Sequence, residues 1–284
     1  MLVSQVAEQQ VRSDRLSRRN FNRMASYINR ISGIKMPPSK MTMLEGRLRR
    51  RLRATGYATL DDYCDFLFDE DGLHSEAVHL IDAVTTNKTD FFREPAHFDY
   101  LRDTILPSMA ASGHRSIRIW SAACSTGAEP YTIAMLLEEF AEEHSFAYKI
   151  LATDLSTEVL ATAHRGVYSL ETVAPVPNEF SRKYVMQSAR PGAREVRIHP
   201  KLRSKVGFAR MNLMDEKYRV GDPMDLIFCR NVLIYFDKSM QAAVLSRLCD
   251  CLLPGGYLFI GHSESLTGFD LPVTQVANTI FQKT

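Results

Sequence analysis

Residues 117–140 read IRIWSAACSTGAEPYTIAMLLEEF, and the order of residue types in this stretch decides the fold. Ile117–Ser121 is a short apolar run of the kind that forms a buried strand. It runs into Ser121-Ala-Ala-Cys-Ser-Thr-Gly127-Ala-Glu129-Pro130, a loop of small residues, and Tyr131–Phe140 continues as a helix. Working toward the C-terminus, Lys149–Thr153, Leu226–Cys229 and Tyr257–Gly261 are further strand candidates, with helical stretches at Glu158–His164 and Met240–Leu252 between them. Alternation of this type predicts an α/β fold with a mainly parallel sheet and helices on both faces. Pro254-Gly255-Gly256 stops the last of those helices, and Val273–Phe281 alternates as an antiparallel edge strand does. A less regular stretch, about 177–213, carries a Pro191-Gly192 turn between Tyr184–Met186 and Val196–Ile198, which predicts an inserted hairpin.

Toward the N-terminus the period changes to that of helices. Phe21, Met24, Tyr27, Ile28 and Ile31 recur at spacings of three and four, as do Met41, Leu44, Leu48 and Leu52. Thr59 is placed as a helix cap with an acid three residues on, and Ala77–Val84 continues the helical reading. The expected organisation is a helical domain over 1–90 and a sheet domain over 91–284, with the inserted hairpin subdomain at about 177–211.

Composition narrows the class. The chain has 284 residues, a hydrophobic fraction of 45% and a net charge of +2, values of an ordinary globular protein. No apolar run approaches the ~20 residues of a membrane helix, and MLVSQVAEQQ lacks a signal-peptide pattern. The five cysteines form no CxxC pair and suit a reducing cytoplasm, and the eight histidines show no metal-ligand spacing, so no metal is expected. Charge is sorted along the chain: residues 1–55 hold 13 Lys/Arg against 3 Asp/Glu, and residues 56–94 hold 2 against 10. The basic start implies an acidic partner or else a solvated helical face.

Ligands of an open parallel sheet bind beyond the carboxyl ends of its strands. Those ends carry Ser121–Pro130, then Asp154, then Asn212-Leu213, then Arg230-Asn231, with Tyr235 four residues later. The first loop lacks the G-x-G-x-x-G of dinucleotide sites. Two carboxylates, Glu129 and Asp154, would repel a diphosphate but suit a ribose diol and a cationic ligand. S-adenosylmethionine has both. Asp154 is expected on the ribose hydroxyls, and Glu129 at the charged or hydrogen-bonding end of the cofactor, favoured by the helix N-terminus. The plain alternatives are a helix N-terminal acid and a helix cap.

At this point the sequence resembles the CheR family of chemotaxis receptor glutamate methyltransferases. The matching segments are Thr85-Thr-Asn-Lys-Thr-Asp-Phe-Phe-Arg-Glu94, Trp120-Ser-Ala-Ala-Cys-Ser-Thr-Gly-Ala-Glu-Pro-Tyr131, Phe228-Cys-Arg-Asn-Val-Leu-Ile-Tyr-Phe236 and Gly261-His-Ser-Glu264. The resemblance covers nearly all residues from about 15 to 284. It implies a class I S-adenosylmethionine-dependent methyltransferase domain, Rossmann-like, behind an all-helical N-terminal domain, with a small β-hairpin subdomain inserted. By motif it puts cofactor contacts on Asn87, Thr89, Arg93, Ala122, Glu129, Asp154, Asn212, Leu213, Arg230 and Asn231, and Arg93 and Tyr235 nearest the transferred methyl. The bland readings are Arg93 paired with Glu94 or another acid, and Tyr235 packed as core.

The implied reaction esterifies receptor glutamates in sensory adaptation and leaves S-adenosylhomocysteine. A glutamate with a pKa of about 4.3 is already ionised at neutral pH, so no general base is needed. At about 100° per residue, Met41, Leu44, Leu48 and Leu52 form one helix face, with Arg49, Arg50 and Arg53 opposite and Arg47 and Arg51 at its borders. The family associates positions matching Arg47, Arg50 and Arg53 with docking on the cytoplasmic helical bundle of receptors. Some members also tether a receptor C-terminal peptide through a glycine-rich loop in the hairpin; here the tip, residues 188–194, has one glycine. A nucleic-acid methyltransferase is disfavoured because Cys229-Arg-Asn-Val, not an aromatic-proline tetrapeptide, follows the Leu226 strand. A non-catalytic adaptor is disfavoured by the presence of Arg93 and Tyr235. A hydrolase is excluded because Gly261-His-Ser-Glu-Ser265 lacks the closing glycine of a nucleophile elbow.

Overall fold

The computed structural model describes residues 15–188, 190 and 192–284. Two positions of the expected hairpin tip, 189 and 191, and residues 1–14 lie outside the described residues. The chain divides into two compact units: one ends at Thr86 and takes in Tyr235–Asp237, and the other comprises Asn87–Ile234 and Lys238–Thr284.

The first unit is built of α1 (Arg18–Ser32), α2 (Met41–Thr55), α3 (Leu60–Asp69) and α4 (Leu73–Val84). Its helix ends follow from local chemistry. Ser17 caps α1 by accepting from the Asn20 amide, and Thr59 caps α3 by accepting from the Asp62 amide. Gly33 and Gly56 close α1 and α2 in the left-handed conformation. The apolar faces read from the sequence are the buried ones: Phe21, Met24, Tyr27 and Ile28 of α1, and Leu44 and Leu48 of α2.

The opposite charges sorted along the sequence partly meet inside this unit. Arg51 binds the Glu76 carboxylate through two nitrogens at 2.7 and 3.0 Å, and the Tyr63 hydroxyl donates to the same group at 2.9 Å. Arg23 pairs with Asp65 and Asp69. Arg47 donates to the Val84 and Thr85 carbonyls and to Thr86 Oγ1, closing the C-terminus of α4. Arg49, Arg50 and Arg53 are exposed on α2.

The second unit contains β1 (Ser116–Ala122), β2 (Ala147–Asp154), β3 (Val167–Ser169), β4 (Val185–Gln187), β5 (Glu195–Ile198), β6 (Val206–Arg210), β7 (Met224–Cys229), β8 (Leu252–Ile260), β9 (Val273–Ala277) and β10 (Ile280–Lys283). Among its helices are α5 (Ala96–Tyr100), continued through a π turn at Leu101–Ile105, then α6 (Leu106–Ala111), α7 (Ala128–His144), α8 (Thr157–Arg165), α9 (Asn178–Tyr184) and α10 (Lys238–Asp250). The main sheet has the order β6-β2-β1-β7-β8-β10-β9. The pairs from β6 to β8 are parallel, and β10 runs antiparallel between β8 and β9. β1 is central, and the chain leaves it for β2 on one side and returns at β7 on the other, which makes the β1/β7 crevice the topological switch point. α7 is buried on most of its surface, and the Phe228 and Phe259 rings stack at 4.2 Å in the core.

Three expectations differ from the fold. Val206–Arg210 is not part of a hairpin but pairs in parallel with β2 as an edge of the main sheet. Its Gly207 and single-sided pairing hide it from a periodicity reading. Val273–Phe281 is not one strand: it turns at Asn278-Thr279, and the returning β10, not β9, lies against β8. The inserted element is a three-stranded antiparallel sheet, β3-β5-β4, that begins at Val167. The predicted pairing of Tyr184–Met186 with Val196–Ile198 is present within it, as Val185↔Ile198 and Met186↔Arg197.

Candidate active site

Register places the carboxyl ends of five strands in one row. Asp154 stands opposite Arg210, Ala122 stands between Thr153 and Cys229, and Cys229 stands opposite Ile260. The residues that follow each strand therefore collect at one end of the sheet: Asn212-Leu213, Asp154, the 123–127 loop, Arg230-Asn231 and Gly261.

The β1 loop is held by backbone bonds rather than by bulk. The Cys124 amide donates to the Thr153 carbonyl at 2.9 Å. Asp154 accepts the Ser125 amide at 2.8 Å on one oxygen and the Ser156 amide at 2.9 Å on the other. The Ser125 hydroxyl donates to the Asn87 carbonyl at 2.8 Å, which fastens the 87–93 segment to the loop. Gly127 sits at φ 91°, and a Cβ there would stand 2.8 Å from Ala163 Cβ and 3.1 Å from the Tyr168 hydroxyl. Only glycine fits, and it serves helix packing, not a phosphate.

Arg230 is the hub of the crevice. Its side chain is 3% exposed and lies between Glu129, at 3.1 Å, and Glu94, at 2.9 Å. The same guanidinium donates to the Arg93 carbonyl at 2.5 Å. Asn231 Nδ2 and the His262 amide also donate to Glu94, at 3.0 and 3.3 Å. Burial alone would raise the Glu94 carboxyl, but the bonds from Asn231 and Arg230 outweigh it and hold the group down to about 2. Glu129 differs. Burial pushes it above its ordinary range, against Arg230 and a 2.6 Å bond from the Ser121 hydroxyl. Arg230 Nε is buried without a partner among the described residues.

The backbone here is strained. Phe92, Glu94, Ala123, Ser125 and Asn231 all have φ between 51° and 61°, a region rare for residues with side chains.

The candidate residues fall out as follows. Ala122, Glu129, Asp154, Arg230 and Asn231 belong to the row of strand ends, and Asn87 joins it through Ser125. Asn212 and Leu213 follow Met211, whose amide donates to the Asp154 carbonyl at 3.0 Å. Thr89 and Arg93 lie on the same segment as Asn87; the Arg93 guanidinium donates to the Lys88 carbonyl at 3.1 Å. Glu94 pairs with Arg230 rather than with its neighbour Arg93. Tyr235 belongs to the helical unit, where its carbonyl accepts from the Lys35 amide at 3.1 Å and Lys40 stands 5.8 Å from its ring centre. Sequence reading gave no role to Glu94, Ser121, Ser125 or Glu264, although Glu94 and Glu264 close two of the quoted segments.

The fold also unites Glu94, His97 and His262, whose potential ligand atoms lie within 4.8 Å of one another. Glu94 Oε2 already accepts from Arg230 and the His262 amide. Burial, with the Arg230 charge second, pulls the His97 imidazole down to about 4. These groups extend the ion-pair network, and the cation at its centre is the guanidinium.

Two carboxylates, Glu129 in the first turn of α7 and Asp154 at the end of β2, flank a loop that offers no phosphate cradle. Comparison with known proteins gives the class. Residues 87–281 match the model described as CheR methyltransferase, SAM binding domain, and the chain is an S-adenosylmethionine-dependent methyltransferase. Residues 19–85 match CheR methyltransferase, all-alpha domain. The chemotaxis protein methyltransferase of Escherichia coli K12 is 38% identical over 267 residues, 94% of this chain and 91% of its own length. That of Salmonella typhimurium LT2 is 39% identical over 254 residues, 89% and 85% of the two chains. That of Borreliella burgdorferi is 38% identical over 261 residues, 89% and 90%. This chain belongs to the CheR methyltransferase family, and its activity is methyl transfer in chemotaxis.

The acceptor set fits the cofactor. Glu129 and Asp154 present acceptor oxygens to a ligand with a sulfonium, an ammonium and a ribose diol. Among the described residues no helix is long and apolar enough to cross a membrane.

Proposed function

We propose that this protein methylates glutamate side chains of chemotaxis receptors in the cytoplasm, forming methyl esters and releasing S-adenosylhomocysteine. One observation carries the reading: Arg230 fastens the Arg93 backbone to the same crevice that holds Glu129, so the 93 side chain projects from a segment fixed to the cofactor site. When bound, S-adenosylmethionine supplies an electrophilic methyl on its sulfonium.

The chain's own residues then have limited work. Asp154 is the acceptor for ribose hydroxyls, and Glu129, desolvated and only partly matched by Arg230, accepts a cationic or hydrogen-donating group. Asn87, Thr89, Ala122, Asn212, Leu213 and Asn231 complete the cofactor contacts. The substrate carboxylate arrives ionised, so alignment and exclusion of water replace a general base. Arg93 orients that carboxylate; with one nitrogen held by the Lys88 carbonyl it guides the nucleophile without clamping and deactivating it. Tyr235 is the second orienting group. Arg50 and Arg53 of α2 dock the acidic face of the receptor bundle, and Arg47 supports them by closing α4. The single glycine at the tip of the inserted sheet departs from the glycine-rich tethering loop of some family members, and α2 is the docking element of this reading.

The test is incubation with methyl-labelled cofactor and a receptor cytoplasmic fragment. Label released as methanol by mild alkali is the expected result; base-stable label on nucleic acid, or no transfer, overturns the reading.

A further inference from the structure

The Gly261-His262-Ser263-Glu264 segment has no role in the mechanism above, yet it holds a buried carboxylate with an unusual set of partners. Glu264 is 8% exposed. Its Oε2 accepts the Gly261 amide at 2.6 Å and the Asn231 amide at 2.9 Å, and its Oε1 accepts the Leu233 amide at 2.7 Å. The Ile234 amide is a further donor. Among the described residues these partners are backbone amides, with no side-chain cation in an ion pair with Glu264.

Three features tie this anion to the crevice. Three of the amides it gathers, those of Asn231, Leu233 and Ile234, belong to the turn that leaves β7 immediately after Arg230, and the Gly261 amide follows β8. Asn231 in that turn has φ 58°, and its two ends are held by two different carboxylates, the amide by Glu264 and Nδ2 by Glu94. Gly261 lies so close that a Cβ there would stand 2.7 Å from the Asn231 amide nitrogen. A side chain at 261 would push the β8 end away and take Glu264 out of reach of the turn.

We propose that Glu264 is a positioning residue: by collecting amides of the β7 turn it holds Asn231 in its left-handed geometry, and with it the neighbouring Arg230, in the place that receives the methyl donor. The inference rests on the reading that Arg230 and Asn231 line the cofactor site. A carboxylate is needed because all of its partners are donors. A neutral amide in its place turns an NH2 group toward a backbone N–H, and the turn must open to relieve it.

The experiment compares Glu264→Gln with Glu76→Gln, a buried carboxylate of the helical unit that serves as a control for lost stability alone. Cofactor Kd by calorimetry, kcat per folded molecule and Tm are measured for each. Glu264→Gln is expected to raise Kd and lower kcat by about 10-fold or more, the size of effect a small misplacement of reacting groups produces. Glu76→Gln is expected to lower Tm with Kd unchanged. A fall in Tm with both Kd and kcat unchanged for Glu264→Gln overturns the proposal. If that variant does not fold, Glu264→Asp, which keeps the charge but shortens the reach, is read by the same two outcomes. Asn231→Ala separates the two ideas. Normal binding and turnover in Asn231→Ala removes the site reading itself, whereas an impaired Asn231→Ala beside a normal Glu264→Gln removes only the positioning role.

Discussion

The helical unit and the strand-end crevice both bury charge, but they balance it differently. In the helical unit Arg51 meets Glu76 through two bonds and Tyr63 adds a third, so donors and acceptors match. In the crevice Glu94 and Glu129 share the guanidinium of Arg230, while Asp154 accepts the Ser125 and Ser156 amides and Glu264 those of Gly261, Asn231 and Leu233. Strain follows the same division. Among the described residues five non-glycine residues with left-handed φ lie in or beside the crevice, whereas the helical unit has Asp71. A network that satisfies itself maintains a fold. One in which two carboxylates share one guanidinium, held in costly backbone conformations, is prepared for a ligand that brings positive charge.

The largest test of this contrast is Arg230→Ala. It leaves two carboxylates facing each other in a buried place and should cost about 3–5 kcal/mol of stability while abolishing cofactor binding. Arg51→Ala, measured beside it by urea unfolding and calorimetry, should cost about 1.5–3 kcal/mol and leave cofactor Kd unchanged. Equal losses of cofactor affinity in both would erase the distinction.

Acid should act on the crevice in two stages. Folded His97 takes a proton only near pH 4, whereas an unfolded imidazole takes one below about 6.5. The unfolded chain is the proton-richer state in that window, so stability falls as pH drops from 6.5 to 4. Folded Glu94 stays ionised to about pH 2, against 4.5 when unfolded. Its contribution, on the order of 3 kcal/mol, is complete above the unfolded value and is lost as pH falls toward 2. Urea unfolding between pH 7 and 3 should show both windows, and His97→Gln should remove the upper one.

Smaller effects sharpen the functional side. Arg93→Ala and Tyr235→Phe should each lower kcat by about 10- to 100-fold with cofactor Kd within about twofold. Unchanged turnover in both would take them off the catalytic list. Arg50→Glu should weaken receptor methylation, raising KM for a receptor fragment at low salt, while leaving cofactor affinity intact; the difference should shrink as ionic strength rises.

How much of this was legible in the sequence depended on distance along the chain. The strand, small-residue loop and helix of 117–140 are local, and they gave both the sheet and the position of Glu129. The helix faces of α1 and α2 and the Thr59 cap are local too. Arg230 was visible as a strand-end residue, but its partner Glu94 lies 136 positions away and no spacing rule joins them. His97 and His262 approach each other only because the helical run from Ala96 packs against the end of β8. The role of Glu264 depends on the register of β7 against β8, and the β6 strand was hidden by Gly207 and its edge position. Two-residue turns such as Asn278-Thr279, which carry no proline or glycine, leave an alternating segment looking like one strand.

One consequence of the Asp154 arrangement concerns selectivity. With both oxygens pinned by the Ser125 and Ser156 amides, this carboxylate cannot swing to follow a ligand. On the proposed reading a nucleoside brings its hydroxyls to this fixed acceptor, and one that lacks them forfeits those bonds. On that reading the sugar is selected by a post the protein cannot move.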